Sequence, residues 1–372
     1  KLNNRQMISP SSIIRKLRQY RTLDPQEYLF LLGTQDSEVI SELHESAGSV
    51  AVSVFGRRIY LRGLLEISNI CRNDCLYCGI RKSNANLRRY SLSDSCILDA
   101  CRSAYTAGFR TFVFQGGEMP DTEDTVSRVE RLCGSVHREF PDCAITLSLG
   151  EYSESTYRRF RKAGASRYLL RHETADPLHY ARLHPSGMSL QHRIDCLRSL
   201  KRAGYQTGTG IMTGSPYQTL ENILEDILFI RDFRPEMIGL GPFIPHADTV
   251  FSGFWNTGTG IIPGLGRKEA AMELALRLVS IFRLMFPEAM IPATTALATI
   301  SPEGREKAVL AGANVVMPNI TPHRERENYS LYDGKACSGA ESLDGIGLLE
   351  SRLKGIGYEI SWKIGDYGDF DR

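Results

Sequence analysis

A repeated pairing of helix ends with apolar runs places the strongest constraint on the fold of this chain. Four times, the dipeptide Ala-Gly closes an amphipathic stretch immediately before a β-rich run: Ala107-Gly108, Ala163-Gly164, Ala203-Gly204 and Ala311-Gly312. A glycine just past a helix end can take the left-handed conformation that satisfies the last backbone carbonyls. Each dipeptide therefore predicts a junction at which a helix ends and a strand follows.

The β-rich runs are numerous enough to fill a closed sheet. With the less punctuated runs included, there are eight strand candidates, at residues 59–68, 109–118, 143–150, 165–173, 205–214, 236–245, 289–296 and 313–319. Seven helix-length segments lie between them, and an eighth follows at about residues 342–356. Strands that alternate with helices indicate a parallel sheet, and eight such units within about 300 residues fit a closed barrel better than an open sheet. The sequence therefore predicts an α/β fold, a TIM-type (βα)8 barrel.

The segments that flank the barrel predict a cap at one end and an extension at the other. Ser9-Pro10 and Asp24-Pro25, the latter with Glu27 at the third position of its helix, are typical helix starts. We expect an N-terminal helical cap at residues 1–50, the barrel at 51–320 and a short C-terminal extension at 321–372 that closes the barrel. The Gly-rich stretch at 247–268 is either a lid or a disordered insertion.

Composition disfavours several classes of partner. The 45 basic and 43 acidic residues are dispersed, so neither a nucleic-acid stripe nor a polybasic membrane patch is visible. No apolar run reaches the ~18 residues of a membrane span. Arg277 and Arg283 interrupt the most apolar helix candidate, and no signal peptide is recognisable. Nine cysteines, an odd number, argue against a disulfide framework. We expect a cytoplasmic protein with reduced thiols and a small-molecule substrate.

The ends of the strand candidates carry polar residues, and the chemistry of a barrel lies where its strands end. Examples are Ser68 and Asn69 after the first strand and Thr294 and Thr295 after the seventh. No lysine lies in any strand candidate, which disfavours an aldolase that forms a Schiff base. A group of cysteines begins three residues after the first strand ends, at the mouth of the same cavity.

These cysteines, Cys71, Cys75 and Cys78, form the cysteine motif C-x3-C-x2-C. A closed zinc site and a four-cysteine iron-sulfur centre each need four ligands, whereas this motif supplies three. Such a motif can hold a cubane 4Fe-4S cluster with one open iron, or a catalytic zinc with a bound water. The spacing and context favour the cluster. The remaining cysteines before the C-terminal extension are expected to be small buried side chains: Cys96, Cys101, Cys133, Cys143 and Cys196.

The cysteine motif, with Tyr77 before its last cysteine and Gly116-Gly117-Glu118 at the end of the second strand, resembles the radical S-adenosylmethionine (SAM) superfamily. The resemblance implies that the open iron of one 4Fe-4S cluster chelates the methionine part of SAM. One electron from the cluster would then cleave SAM to a 5'-deoxyadenosyl radical. Gly116, Gly117 and Glu118 would hold the methionine amine, Tyr77 would lie by the adenine, and the chain around Met212 would lend backbone to the adenine.

Several other stretches, among them "RYLLRHETA", "IGLGPFIPHADT" and "GANVVMPN", together resemble the FeFe-hydrogenase maturase HydE family, in a group with biotin synthase and methylornithine synthase. That family uses the adenosyl radical on a small cysteine-bound iron carbonyl cyanide complex supplied by a partner maturase. The resemblance implies contact with other hydrogenase maturases and an electron donor. It implies that Glu151 and Arg171 contact SAM. It also implies that five residues surround the internal substrate: Arg167, Thr294, Thr295, Tyr329 and Tyr332.

The fourth strand candidate offers partial support for an anionic ligand. Arg167, Leu169, Arg171 and Glu173 share one face because strand side chains alternate. If that face points inward, two guanidiniums enter the lumen, where bidentate carboxylate binding is their natural use. The alternative is an internal ion pair between arginine and glutamate that only fills the barrel.

Three functions stay open from the residues alone. The first is the hydrogenase maturase, and the second is a methylornithine-synthase-like mutase, whose amino-acid carboxylate the same arginines would serve. The third is a non-enzymatic iron-sulfur carrier. Some family members hold a second cluster with extra C-terminal cysteines, but Cys337 stands alone in that part of the chain, so we expect one cluster.

Overall fold

The computed structural model describes residues 9–336 and 339–368, with strands at the centre and helices around them. The strands are β1 Arg58–Leu61, β2 Gly63–Ser68, β3 Thr111–Gly116, β4 Ala144–Ser148, β5 Ala165–Leu169, β6 Gln206–Thr209, β7 Met212–Thr213, β8 Met237–Ile238, β9 Gly241–Pro242, β10 Val315–Val316 and β11 Glu359–Ser361.

The helices alternate with these strands after an N-terminal group. They are α1 Pro10–Tyr20, α2 Pro25–Gly33, α3 Ser37–Phe55, α4 Asp94–Thr106, α5 Glu123–Glu139, α6 Glu154–Lys162, α7 Pro177–Leu183, α8 Leu190–Arg202, α9 Leu220–Phe233, α10 Arg267–Met285, α11 Thr295–Ile300, α12 Gly304–Leu310, α13 His323–Arg326 and α14 Ile346–Gly355. Short 3-10 helices occur at Phe254–Asn256, Gly339–Glu341 and Leu343–Gly345.

The strands are parallel, and their hydrogen-bonded neighbours form a ring. One sheet has the order β2-β3-β4-β5-β6-β8. Met290 then bridges to β8, Pro292 bridges to β10, and Asn319, beyond β10, bridges back to β2. The predicted α/β class is confirmed, and the ring has the order of strands that a TIM-type barrel requires.

The four Ala-Gly junctions are as the sequence predicts. The glycines that follow α4, α6, α8 and α12 have φ angles of 106° (Gly108), 116° (Gly164), 82° (Gly204) and 112° (Gly312). These angles lie in the left-handed region, which glycine enters without a steric penalty. Each helix therefore stops where its strand must turn inward.

Side-chain alternation on β2 determines what points into the lumen. Ile67 lines a cavity together with Val129 and Leu132 of α5, so Ile67, and by alternation Leu65, faces the outer helices. Glu66, between them, therefore faces the opposite side, the interior of the ring. Its side chain is fully buried, and one carboxylate oxygen accepts a hydrogen bond from Asn319 Nδ2 at 2.9 Å.

The N-terminal helices α1 to α3 pack against α10, and the two arginines within α10 explain part of this contact. Arg277, almost fully buried, donates to the backbone oxygen of Leu32 at 2.7 Å. Arg283, also buried, lies over the Phe55 ring of α3 at 4.9 Å and donates to the oxygen of Gly312 at 2.8 Å. Buried guanidiniums need such acceptors. Helix α3 runs through the predicted boundary at residue 50, and the domain bounds stay a prediction.

The C-terminal segment covers the amino end of the strands. Strand β11 pairs with β1, and Asp366, which follows it, accepts hydrogen bonds from Arg167 Nε at 2.9 Å and Gln206 Nε2 at 3.1 Å. Gln206 begins β6, so this end of the barrel lies opposite the cysteine motif.

Within the described residues, no helix combines the length and apolar character that crossing a membrane would need.

Candidate active site

The cysteine motif lies in a long loop, residues 69–90, at the carboxyl end of β2. The guanidinium of Arg89 organises this loop by donating to backbone oxygens of Asn69 at 2.7 Å, Ile80 at 2.8 Å and Asn84 at 3.1 Å. Gly79, next to Cys78, donates its N–H to the oxygen of Leu331 at 2.9 Å. The loop is therefore stabilised by one of its own side chains, Arg89, and by a backbone hydrogen bond to the C-terminal extension.

Gly117 fits directly behind the cysteine loop. Its N–H donates to the oxygen of Ser68 at 2.9 Å. A Cβ added at Gly117 would lie 2.3 Å from the oxygen of Ile70 and 2.9 Å from Cys71 Cβ. No larger residue fits this distance, so the second glycine of the Gly-Gly-Glu motif is required by the approach of Cys71.

Glu118 joins this loop to the next strand end. Its Oε1 accepts from Arg72 Nε at 2.9 Å, and its Oε2 accepts from the N–H of Glu151 at 2.9 Å. Gly150, with φ 93°, leaves room because a Cβ there would lie 2.3 Å from Glu118 Oε2. The predicted residues Glu118 and Glu151 are thus brought together, with an arginine the sequence analysis did not select.

A second unselected arginine joins Glu151 to Arg171. Arg193, on α8, donates its Nε to Glu151 Oε1 and its Nη1 to the backbone oxygen of Arg171 at 2.7 Å. Arg171 Nη2 lies 3.2 Å from Glu173 Oε2, while its buried Nε has no hydrogen-bond partner among the described residues. Strand β5 ends at Leu169, and Glu173 has φ 66°, so the single alternating face predicted through residue 173 is wrong beyond the strand.

Aromatic and apolar side chains form the other wall of the site. Tyr77 packs in one hydrophobic cluster with Met212 and Phe251. The Tyr77 hydroxyl lies 3.2 Å from His184 Nε2, and His184 Nδ1 lies 3.0 Å from the backbone oxygen of Tyr180. Since only a protonated Nδ1 can donate to that oxygen, Nε2 accepts from Tyr77. Burial lowers the pKa of His184 to about 3, so the ring is neutral near pH 7.

The segment before α9 and the Gly-rich stretch enclose a cavity beside this wall. A cavity of about 480 Å³ lies between residues 214–218 and the Gly-rich stretch, and Phe254 and Arg267 line it. The Arg267 guanidinium stacks over the Phe254 ring at 3.8 Å. The stretch therefore packs beside the Tyr77 cluster, and its role as a lid stays a prediction.

The three thiols of the cysteine motif suit a cluster. Burial raises the pKa of Cys78 to about 12, and burial followed by the charge of Cys78 raises the pKa of Cys75 well above its usual range. Thiolates here need a strong positive charge, which iron supplies. Within the described part of the chain, no three donors converge closely enough for a single ion, whereas the thiolates of a cubane each bind a different iron.

The remaining cysteines agree with the predicted structural role as far as the structure describes them. Cys101, Cys133, Cys143 and Cys196 are buried, and Cys96 is half-buried on α4. Cys337 lies outside the described residues, so the expectation of one cluster that depended on it stays a prediction.

The predicted substrate residues divide between the two ends of the barrel. Tyr329 is buried, and its hydroxyl accepts from Gln115 Nε2 at 3.3 Å. Thr294 Oγ1 is buried without a hydrogen-bond partner among the described residues, and Thr295 begins α11. Tyr332 is half-buried; burial raises the pKa of its hydroxyl, and a hydrogen bond with the side chain of Thr299, on α11, lowers it.

Arg167 is placed elsewhere. It is fully buried, pairs with Asp366, and donates to Thr111 Oγ1 at 3.1 Å at the start of β3. Arg171, in contrast, follows the carboxyl end of β5, which is at Leu169. The two arginines therefore lie toward opposite ends of the barrel, and the expectation that Arg167 lies with Thr294 and Tyr329 is wrong.

Comparisons with known proteins define the class. The Radical SAM superfamily model matches residues 65–230, which carry the cysteine loop, Glu118, Glu151 and Arg171. The fold and site are those of a radical SAM enzyme, with a 4Fe-4S cluster and SAM as cofactors, and the zinc alternative is set aside. The FeFe hydrogenase maturase subunit HydE of Thermotoga maritima is 40% identical over 311 residues, 82% of this chain and 83% of that protein. The chain belongs to this HydE family.

Two other relatives share the architecture. The 3-methylornithine synthase of Methanosarcina barkeri is 28% identical over 303 residues, which are 82% of this chain and 81% of that protein. The crystal structure of methylornithine synthase PylB has a TM-score of 0.78 and 25% identity, covering 94% of this chain and 97% of that one. The non-enzymatic carrier alternative is not favoured by these relatives.

Proposed function

We propose that this chain is a maturase of FeFe hydrogenase that cleaves SAM reductively and acts on a small cysteine-bound iron carbonyl cyanide complex. The observation that carries the proposal is the packing of Gly117 against Ile70 and Cys71, because it ties the cysteine loop to the Glu118 carboxylate. The similarity to the HydE relative supports a role in the maturation of FeFe hydrogenase. When bound, the reduced cluster supplies the electron that cleaves SAM.

The chain's own residues bind and orient the two cofactors. Cys71, Cys75 and Cys78 would hold three irons and leave the fourth for SAM. Glu118 uses one oxygen on Arg72 and the other on the N–H of Glu151, and each oxygen keeps a lone pair for the ammonium group of SAM. Its orientation is therefore fixed before SAM arrives, which lowers the ordering cost of binding.

Arg171 would supply the positive charge for the carboxylate group of SAM. Arg171 has a buried Nε without a hydrogen-bond partner in the described chain, and its Nη2 lies 3.2 Å from Glu173 Oε2. A carboxylate on SAM would pair with it. Tyr77 and Met212, in their apolar cluster, offer a surface for the adenine.

The substrate region is the lumen beneath this site. Thr294, Thr295, Tyr329 and Tyr332 are proposed to surround the iron complex. The first part of the C-terminal extension, around Asp333, would close over it, because Asp333 donates its N–H to the oxygen of Pro245 at 3.0 Å. Exclusion of water protects a radical from side reactions. Partner maturases and an electron donor would meet the protein in the cytoplasm, where its thiols stay reduced.

A second candidate is a mutase that acts on a free amino acid, as the methylornithine synthase relative suggests. The observation in its favour is the partly unpaired Arg171, which suits an amino-acid carboxylate as well as SAM. An activation assay separates the two candidates, because the product of a maturase would activate a hydrogenase apoprotein and the product of a mutase would not.

The test begins with anaerobic reconstitution with iron and sulfide. With dithionite and SAM, the parent should release 5'-deoxyadenosine, whereas Cys75→Ala should lose both the cluster and the nucleoside. Cys96→Ala is the matched control and should keep both. A parent that binds the cluster without cleaving SAM would contradict the proposal.

A further inference from the structure

The C-terminal extension places a lysine inside the mouth of the barrel. Lys335 has a side chain that is 10% exposed, and its Nζ donates to Glu66 Oε1. Nζ also donates to the backbone oxygen of Tyr329 at 3.1 Å and lies 4.9 Å from the centre of the Tyr329 ring. A charged ammonium group is thus buried where the substrate region begins.

This position is fixed by contacts on several sides. Asn69 donates its Nδ2 to the oxygen of Asn328 at 2.7 Å, and Gly79 donates to the oxygen of Leu331 at 2.9 Å. A Cβ at Gly79 would lie 2.1 Å from the oxygen of Ser330. The lysine-bearing segment therefore packs against the cysteine loop itself.

The burial of this charge calls for an explanation. Removing an ion pair from water costs free energy that its own attraction does not reliably recover, so apolar residues would hold the segment at least as well. An ammonium group has three N–H donors. Glu66 and Tyr329 use two, and the third has no acceptor among the hydrogen bonds of the described residues.

The groups around the third donor favour an anion. Glu66 already accepts from both Lys335 and Asn319, so the carboxylate is satisfied and fixes the lysine in place. The hydroxyl of Thr294, which the proposed function also places around the iron complex, is a further buried donor without a partner in the described chain. A carboxylate can accept from both an ammonium group and a hydroxyl.

We propose that Lys335 is a specificity-determining residue that donates its third N–H to a carboxylate of the substrate. This inference rests on the proposed function and assigns the carboxylate to the cysteine of the iron complex. Lys335 binds this group, and Glu66 is the positioning residue that holds the ammonium.

The test compares two substrates that differ in one charge. One is the iron carbonyl cyanide complex of cysteine, and the other is the complex of cysteinamide, in which a neutral amide replaces the carboxylate. The ratio of kcat/KM for these complexes is measured by consumption of each complex with SAM. The parent should prefer the cysteine complex by roughly tenfold to a hundredfold, as expected for a hydrogen bond between charged groups.

Lys335→Met should bring this ratio close to one. Because that change leaves Glu66 buried without its cation, the double variant Glu66→Gln with Lys335→Met is measured too, and it should lose the preference equally. Lys307→Met, at an exposed lysine on α12, is the control and should keep the parent's ratio. A purely structural lysine would lower both kcat/KM values together and leave the ratio unchanged.

The outcomes separate the two proposals. A parent that consumes both complexes equally, or a Lys335→Met protein that keeps the preference, overturns the role of Lys335 alone. A parent that consumes neither complex overturns the proposed function, and the inference with it.

Discussion

Replacing Gly117 by alanine tests the packing on which the proposed site depends. The new Cβ would lie 2.3 Å from the oxygen of Ile70, about 1.1 Å inside the 3.4 Å at which ordinary contacts begin. The obstacle is backbone, so no side-chain rotation relieves it. The Ile70–Cys71 peptide must move by roughly that distance, and Cys71 moves with it.

The expected cost follows from this overlap. Overpacking of a closely packed site costs about 1–3 kcal/mol, and the free energy of unfolding should fall by that amount in Gly117→Ala. Displacement of Cys71 should also weaken the affinity for the cluster by roughly fivefold to a hundredfold. Less iron should therefore stay with the protein after anaerobic reconstitution and gel filtration. Iron content and urea unfolding are measured on the same preparation.

A matched glycine makes the comparison specific. Gly187 lies in a loop, and a Cβ there would meet nothing within 4 Å. Gly187→Ala should therefore keep both iron and stability. Parent-like iron content and unfolding in Gly117→Ala would refute the argument that the close approach to Cys71 requires glycine.

Three further perturbations address other parts of the structure. Arg89→Leu removes the guanidinium that binds loop carbonyls, so it should lose about 2–4 kcal/mol of unfolding free energy and most of its iron. The exposed neighbour Arg88→Leu should lose neither. Arg171→Leu should reduce SAM cleavage by roughly tenfold to a hundredfold at normal iron content, and unchanged cleavage would assign Arg171 a structural role. Burial lowers the pKa of His172 to about 3 and raises the pKa of Asp226 well above its usual range, so between about pH 4 and 6.5 the two groups affect stability in opposite directions. Asp226→Asn leaves only the effect of the histidine. As the pH falls through that window, the unfolding free energy of this variant should therefore fall relative to the parent by up to about 1.4 kcal/mol per pH unit. Parallel curves of unfolding free energy against pH, measured by urea unfolding, would contradict this sign.

The fold was predictable because its signals are local. A glycine after a helix and an apolar run after the glycine are read within about ten residues of sequence, and the left-handed Gly108, Gly164 and Gly312 bear out that reading. The cysteine motif is local too. Its spacing and its place after the first strand were enough to predict the cluster.

The charged network was not predictable because its contacts are long-range. Arg72 and Glu118 are 46 positions apart, and Arg193 and Glu151 are 42 positions apart. The sequence around each arginine does not indicate that it pairs with a buried carboxylate, since most arginines on a helix or loop are exposed. Only the assembled barrel brings these guanidiniums to their carboxylates.

The misplacement of Arg167 has a different cause. Alternation correctly predicts that Arg167 and Leu169 share a face, but it does not say which end of the barrel a given residue occupies. Arg167 lies in the middle of β5, and its side chain pairs with Asp366 from the far end of the chain. The partner is 199 positions away, so the sequence pattern could not show it.

The division of the proposed site along the chain has a mechanistic consequence. The cysteine motif, Glu118, Glu151 and Arg193 all fall within residues 65–230, the part that the superfamily model matches. Thr294, Tyr329 and Lys335 lie after it, on the last strands and the C-terminal extension. In the proposed site, cofactor binding and substrate recognition would therefore be carried by different parts of one barrel, which meet where Lys335 bonds to Glu66 on β2. On this proposal, changes confined to the second part would alter which molecule the radical attacks, while the first part would retain the geometry that generates it.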